Sequence, residues 1–137
     1  MSENKISIEV AEAEFDRFMD LMDLDNDSKS IDSKDQAEFD KNKDRIIRAL
    51  MKGSLTINGQ GEPVFSPTRS PGIKTDLTFY EPSGATLMAM DRKKEGQNMS
   101  KIFSVMDDMT KSPAGTASKL IGNDYKIGLA VVTIFLG

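Results

Sequence analysis

Few side chains in this sequence are of the types that do chemistry, and the most suggestive are carboxylates. Asp23, Asp25 and Asp27 stand at the first, third and fifth places of the run Asp23-Leu24-Asp25-Asn26-Asp27, the spacing with which a calcium-binding loop opens. The remainder of such a loop is missing. Its sixth place needs Gly for a sharp turn and holds Ser28, its eighth holds Ser30 in place of an aliphatic residue, and its twelfth holds Lys34 where a bidentate Glu is required. The run therefore reads as an acidic loop without a metal. Asp107-Asp108 is a second carboxylate pair. Adjacent residues on a helix point in different directions, so the two do not converge on one substrate and read as a solvated face. Asn58-Gly59-Gln60-Gly61 lies between two strand-like segments, and no Gly-Lys-Ser/Thr occurs anywhere, so a phosphate-cradling loop is not expected.

The sequence has no His, Cys or Trp. That removes the Ser-His-Asp triad, the thiolate nucleophile, Fe–S clusters, and Cys or imidazole metal sites. The expectation is a protein that is not an enzyme and uses no cofactor and no metal.

Charge is uneven. Residues 1–60 carry nine Lys/Arg against fourteen Asp/Glu, a net of −5, and residues 61–137 carry nine against eight, a net of +1. The sum, −4, argues against generic nucleic-acid binding through phosphate neutralisation. The acidity between Glu12 and Asp44 reads either as a solvated helical face or as a surface that mimics nucleic acid. Met1 to Val10 lacks the apolar core of a signal peptide. The run from Ile127 to Leu136 falls short of the roughly 18–20 residues that span a bilayer, so no membrane is expected and the cytoplasm is the expected location.

With 137 residues, the chain suits a single domain whose core needs no staple. Ile6, Ile8 and Val10 alternate with polar residues, which predicts a short strand. Phe15, Phe18, Met19 and Met22 at helical spacing predict a helix from Ala11 to about Met22. A polar loop over Asp23 to Lys34 leads to a second helix, Asp35 to Met51, with Phe39, Ile46, Ile47 and Leu50 inward and Gly53 as its stop. Leu55 to Phe65 reads as a hairpin about Asn58-Gly59, whose residues tolerate the positive φ of a tight turn. Ser66 to Gly72 is an irregular connector. Ile73, Leu77 and Phe79 predict a third strand, closed by Glu81-Pro82, and Ser83 is placed to cap a helix opening at Thr86. A polar break, Arg92 to Asn98, precedes a helix from Met99 to Met109, and Ser112 to Thr116 is a second connector. The segment Tyr125 to Leu136, capped by Asn123 or Asp124, reads as helix or as buried strand; the cap and the length favour helix. The expected fold class is α+β: two N-terminal helices, a small antiparallel sheet with a hairpin, and a C-terminal helical subdomain. An N-terminal helix and hairpin part (residues 1–72) adjoins a strand-plus-helices part (73–137).

Met19, Met22, Met88, Met90, Met99, Met106 and Met109 lie on the faces of predicted helices. Flexible thioethers fill cores, and they also line adaptable grooves for helical partners. The apolar segment Ala130 to Leu136 must dock on its own core or on another chain, which includes a second copy.

The stretch Leu77-Thr78-Phe79-Tyr80-Glu81-Pro82-Ser83-Gly84-Ala85-Thr86-Leu87-Met88-Ala89-Met90-Asp91-Arg92 resembles the tail assembly chaperones of contractile-tailed bacteriophages, the group that includes those of phages Mu and P2. In that family a short strand ends in Glu-Pro-Ser/Thr or Lys-Pro-Ser, then a small-residue turn and a Leu-rich helix follow. A polar-capped terminal helix ending near Phe-Leu comes later, as Asn123-Asp124-Tyr125 and Phe135-Leu136-Gly137 do here. The resemblance covers residues 74–137, and the first seventy or so residues depart from the shortest members. It implies a non-enzymatic protein of the host cytoplasm that keeps the helical tape measure protein soluble until tail tube protein polymerises around it. It also implies a longer form made by ribosomal frameshifting near the C-terminus. On that reading Leu87, Met88, Met90, Ile102, Phe103 and Met106 are expected to line a groove for an amphipathic helix, with Tyr125, Leu129 and Val132 as its floor. Other readings are a virion structural subunit, such as a tail tube or head–tail connector component, and an acidic decoy of a host nucleic-acid enzyme.

Overall fold

The computed structural model describes residues 4–24, 33–91 and 98–136, without the side chains at 33–35, 87, 89–91 and 98–100. Its fold is α+β, as the hydrophobic pattern requires. Helices α1 (Ile8–Leu21) and α2 (Ser33–Lys52) lead to a three-stranded antiparallel sheet of β1 (Leu55–Ile57), β2 (Pro63–Phe65) and β3 (Leu77–Thr78). Helices α3 (Gly84–Asp91), α4 (Asn98–Met109) and α5 (Asn123–Leu136) complete the chain, with a 3₁₀ turn at Ala117–Lys119. The terminal segment is thus helix, not strand.

The expected strand through Ile6, Ile8 and Val10 is instead the start of α1. Ser7 is an N-cap in extended conformation, and its hydroxyl accepts from the Val10 amide at 3.2 Å. Glu9 in the first turn favours the positive end of the helix dipole. The alternation of Ile8 and Val10 carries no burial, since both stay about half exposed.

Helices α1 and α4 end in the same way. In α1, the Leu24 amide donates to Met19 O and the Asp23 amide to Asp20 O, with Asp23 at φ 54°. In α4, Ser112 donates to Asp107 O and Lys111 to Asp108 O, with Lys111 at φ 54°. These are Schellman closures, which need a left-handed residue just past the helix. Gly53, at φ 84°, fills the corresponding place after α2. Asp23 is therefore the terminator of α1; Asp25 to Asp27 lie outside the described residues. The expected break at Arg92 to Asn98 lies outside them as well, except for Asn98, which is the first residue of α4.

The hairpin turns through five residues, with Leu55 opposite Phe65 and Ile57 opposite Pro63. Its left-handed residue is Gly61 (φ 85°), not Gly59. Asn58 organises the loop. Its Oδ1 accepts from the amides of Gln60 and Glu62 at 3.0 and 2.9 Å, and its Nδ2 donates to Glu62 Oε1 at 3.0 Å. Arg17 of α1 donates to the carbonyls of Ile57 and Asn58 at 2.7 and 3.0 Å, covering the open edge of β1. The third strand is shorter than expected: Ile73 lies in the connector, half-buried against the core, and Phe79 continues the pairing with one bond to Pro63 O at 2.8 Å.

One apolar core runs from Ala11 to Phe135. Helix α2 lies against both α1 and α5, and Phe18 of α1 meets Phe135 of α5 edge to face at 5.2 Å. Met19, Met22, Met106 and Met109 are all buried in it, which is the core-filling role of their flexible side chains.

Candidate partner-binding face

The C-terminal helices are set by polar ties that are largely local in sequence. Ser83 and Thr86 bond reciprocally at the start of α3: the Ser83 amide reaches Thr86 Oγ1 at 3.3 Å, and the Thr86 amide reaches Ser83 Oγ at 3.4 Å. Thr86 Oγ1 also donates to Asp108 Oδ2, which ties α3 to α4. Asp107 turns the other way and accepts from the amides of Gly115 and Ala117 at 2.9 and 2.7 Å. The two carboxylates thus hold separate pieces of structure and do not converge, but Asp107 is buried by its backbone ties and only Asp108 belongs to the expected solvated face.

Against α5, α4 presents Phe103 and Met106. Phe103 stacks edge to face on Tyr125 with ring centroids 5.8 Å apart. Met106 packs over Gly128, where a Cβ would stand only 3.1 Å from its sulfur. That close approach buries Met106 to 1% exposure, and Val132 is equally buried. Both belong to the core and offer no surface to a partner, which corrects their expected place in the groove and its floor. Ile102, Phe103, Tyr125 and Leu129 remain half-buried, with Phe103 and Tyr125 in contact across the α4–α5 seam, and Met88 on α3 is 60% exposed. The side chains of Leu87 and Met90 lie outside the described residues.

The expected residues whose side chains are described do not line one groove. Phe103, which meets α5, and Asp108, which meets α3, are five residues apart on α4, and five steps of about 100° leave them roughly 140° apart around the axis. Helix α4 therefore stands between α3 and α5 and separates Met88 from the Phe103–Tyr125 pair. What the structure brings together is the Phe103–Tyr125 pair, with Ile102 next to Phe103 on α4 and Leu129 one turn from Tyr125 on α5.

A polar site that the residue pattern does not disclose lies beneath the first connector. Asp124 is 1% exposed and accepts from the amides of Thr68 and Arg69 at 3.3 and 2.8 Å and from Ser70 Oγ at 2.8 Å. Ser70 Oγ in turn accepts from the Ile121 amide at 2.9 Å. Asp124 is expected from sequence to cap its own helix, but it bonds residues more than fifty positions earlier, and no local signal distinguishes the two roles. An open depression of about 490 Å³ on α1, lined by Ala13, Asp16, Arg17, Met19, Asp20 and Leu24, shares no residue with this site or with the seam.

Among the described residues, no cluster of acidic, His or Cys side chains is arranged to hold a metal, and no helix is long and apolar enough to cross a membrane. No family model, curated protein or solved structure matches the chain.

Proposed function

We propose that the protein is a non-enzymatic tail assembly chaperone that binds the tape measure protein through the α4–α5 seam. The observation that carries this reading is the Phe103–Tyr125 pair: two aromatic rings in contact but only half-buried, with half-buried Ile102 next to Phe103 in sequence and half-buried Leu129 one helical turn from Tyr125. Rigid aromatic anchors beside aliphatic side chains suit the apolar stripe of an amphipathic helix. The strand, Glu81-Pro82, the Ser83 cap and the terminal helix after Asn123-Asp124 supply the family resemblance.

The test is co-purification with a co-expressed tape measure protein, comparing the wild type with Phe103→Asp and Leu129→Glu. Both variants should lose the partner while keeping the wild-type far-UV circular dichroism. Undiminished capture by both folded variants refutes the seam as the binding surface. Met106→Asp is unsuitable for this purpose, because it places a charge in the core and tests folding instead. A slippery heptamer across the codons for Ile134 to Gly137, followed by an overlapping frame, would support the chaperone role independently.

A second reading rests on α1. Glu9, Glu12, Asp16 and Asp20 are all exposed, and their spacing sets them within about 80° of one another around the helix. Such a stripe suits an acidic decoy. Capture of a basic host protein that falls steeply between low and high salt would favour the decoy, whereas binding through the seam should change little.

A further inference from the structure

We infer that Asn58-Gly59 is a self-modification site, held unreactive while the hairpin is closed and docked on α1. The sequence contains this one Asn-Gly pair. Glycine leaves the following amide nitrogen open to attack on the asparagine side chain: a Cβ built at Gly59 would meet nothing within 4 Å, and the residue is exposed. In the reaction, the Gly59 nitrogen bonds to Asn58 Cγ and loses its proton, and the Cγ–Nδ2 bond breaks as ammonia departs with a proton. Water then adds across either C–N bond of the cyclic imide, leaving aspartate or isoaspartate at position 58. No oxidant or reductant is involved.

The closed hairpin opposes the first step. Cyclisation needs a side-chain amide free to turn its Cγ onto the Gly59 nitrogen, yet both its oxygen and its nitrogen are engaged. Oδ1 is held by the amides of Gln60 and Glu62, and Nδ2 by the Glu62 carboxylate. The peptide to be rearranged is held too, since Arg17 and the Gly61 amide both donate to Asn58 O, each at 3.0 Å. Opening the loop releases every one of these bonds together. The product does not fit back. A carboxylate at 58 faces the Glu62 carboxylate in place of an amide donor, and isoaspartate adds a methylene to the main chain inside a five-residue turn. Modification therefore converts a transient opening into a lasting loss of the Arg17 contact between the hairpin and α1.

The experiment follows deamidation of the full-length protein at neutral pH and 37 °C by peptide mass spectrometry, together with enzymatic detection of isoaspartate. The folded wild type should react at least about tenfold more slowly than the same chain in guanidinium, as expected when the reactive conformer is a minor population. Glu62→Ala, which frees Nδ2, should react several-fold faster than the wild type while remaining folded by circular dichroism. Gly59→Ala should suppress the reaction in both folded and unfolded chains. Equal rates for the folded and unfolded wild type overturn the inference, as does a folded Glu62→Ala with the wild-type rate.

Discussion

Replacing Asp124 with Ala should be among the most damaging single substitutions in this chain, although it removes only one small side chain. The carboxylate makes two short bonds at 2.8 Å and one long bond at 3.3 Å, at a site 1% exposed. Hydrogen bonds to a charged group contribute roughly 1.5–3 kcal/mol, and each buried donor left without a partner costs roughly 1–3 kcal/mol. Two good bonds and one weak one give about 4 kcal/mol for Asp124→Ala. Asp124→Asn keeps one oxygen for Arg69 and Ser70 but turns an NH₂ toward the Thr68 amide, so about 2 kcal/mol is expected. The assay is urea denaturation followed by circular dichroism, in which the midpoint should fall with an unchanged slope. A cycle with Ser70→Ala should show coupling of about 1 kcal/mol, because the two share a bond. If Asp124→Ala costs less than about 1 kcal/mol, the carboxylate does not anchor the connector, and the start of α5 is held by apolar packing instead.

Further substitutions probe other joints. Gly61→Ala forces an L-residue to φ 85° and sets its Cβ 2.6 Å from Leu21 Cβ, so a loss of about 3 kcal/mol is expected by thermal or urea melting. Adding Leu21→Ala should not restore it, since that Cβ remains. Asp23→Gly should raise stability by about 1 kcal/mol, because Gly suits φ 54° and removes a negative charge from the negative end of α1; an unchanged urea midpoint would count against the Schellman reading. Lys111→Gly should gain far less on the same assay, since it forfeits a favourable charge and the contact of the Lys111 ammonium with the Tyr80 ring at 4.1 Å. Met106→Ala should cost about 2–4 kcal/mol in the same melt, as expected of a core side chain packed on Gly128, whereas Phe103→Ala should weaken partner capture more than it weakens the fold.

Local chemistry alone made much of this fold legible. Gly53 as a helix stop, the hairpin around Asn58, Ser83 as a cap and the helical stripe of Phe15, Phe18, Met19 and Met22 all follow from residues within a few positions of one another. Each depends on backbone φ, a nearby donor, or a period of 3.6 residues, and those are properties a short segment carries by itself. The α+β class follows from the order of such segments. Where two local signals compete, as at Ser7 and the alternating Ile6, Ile8 and Val10, the alternation had no sheet to join and the cap prevailed.

The tertiary structure decided what no segment contains. Met106 and Phe103 are both apolar residues on the same helix, three positions apart, and nothing in their neighbourhood separates them. Gly128 on α5 admits Met106 into the core, while Tyr125 leaves Phe103 half-buried at the seam. Asp124 resembles a helix cap until the connector from Thr68 to Ser70 is brought against it from more than fifty residues away. Burial and the pairing of buried polar groups depend on which distant surfaces meet, and that is settled only when the whole chain packs.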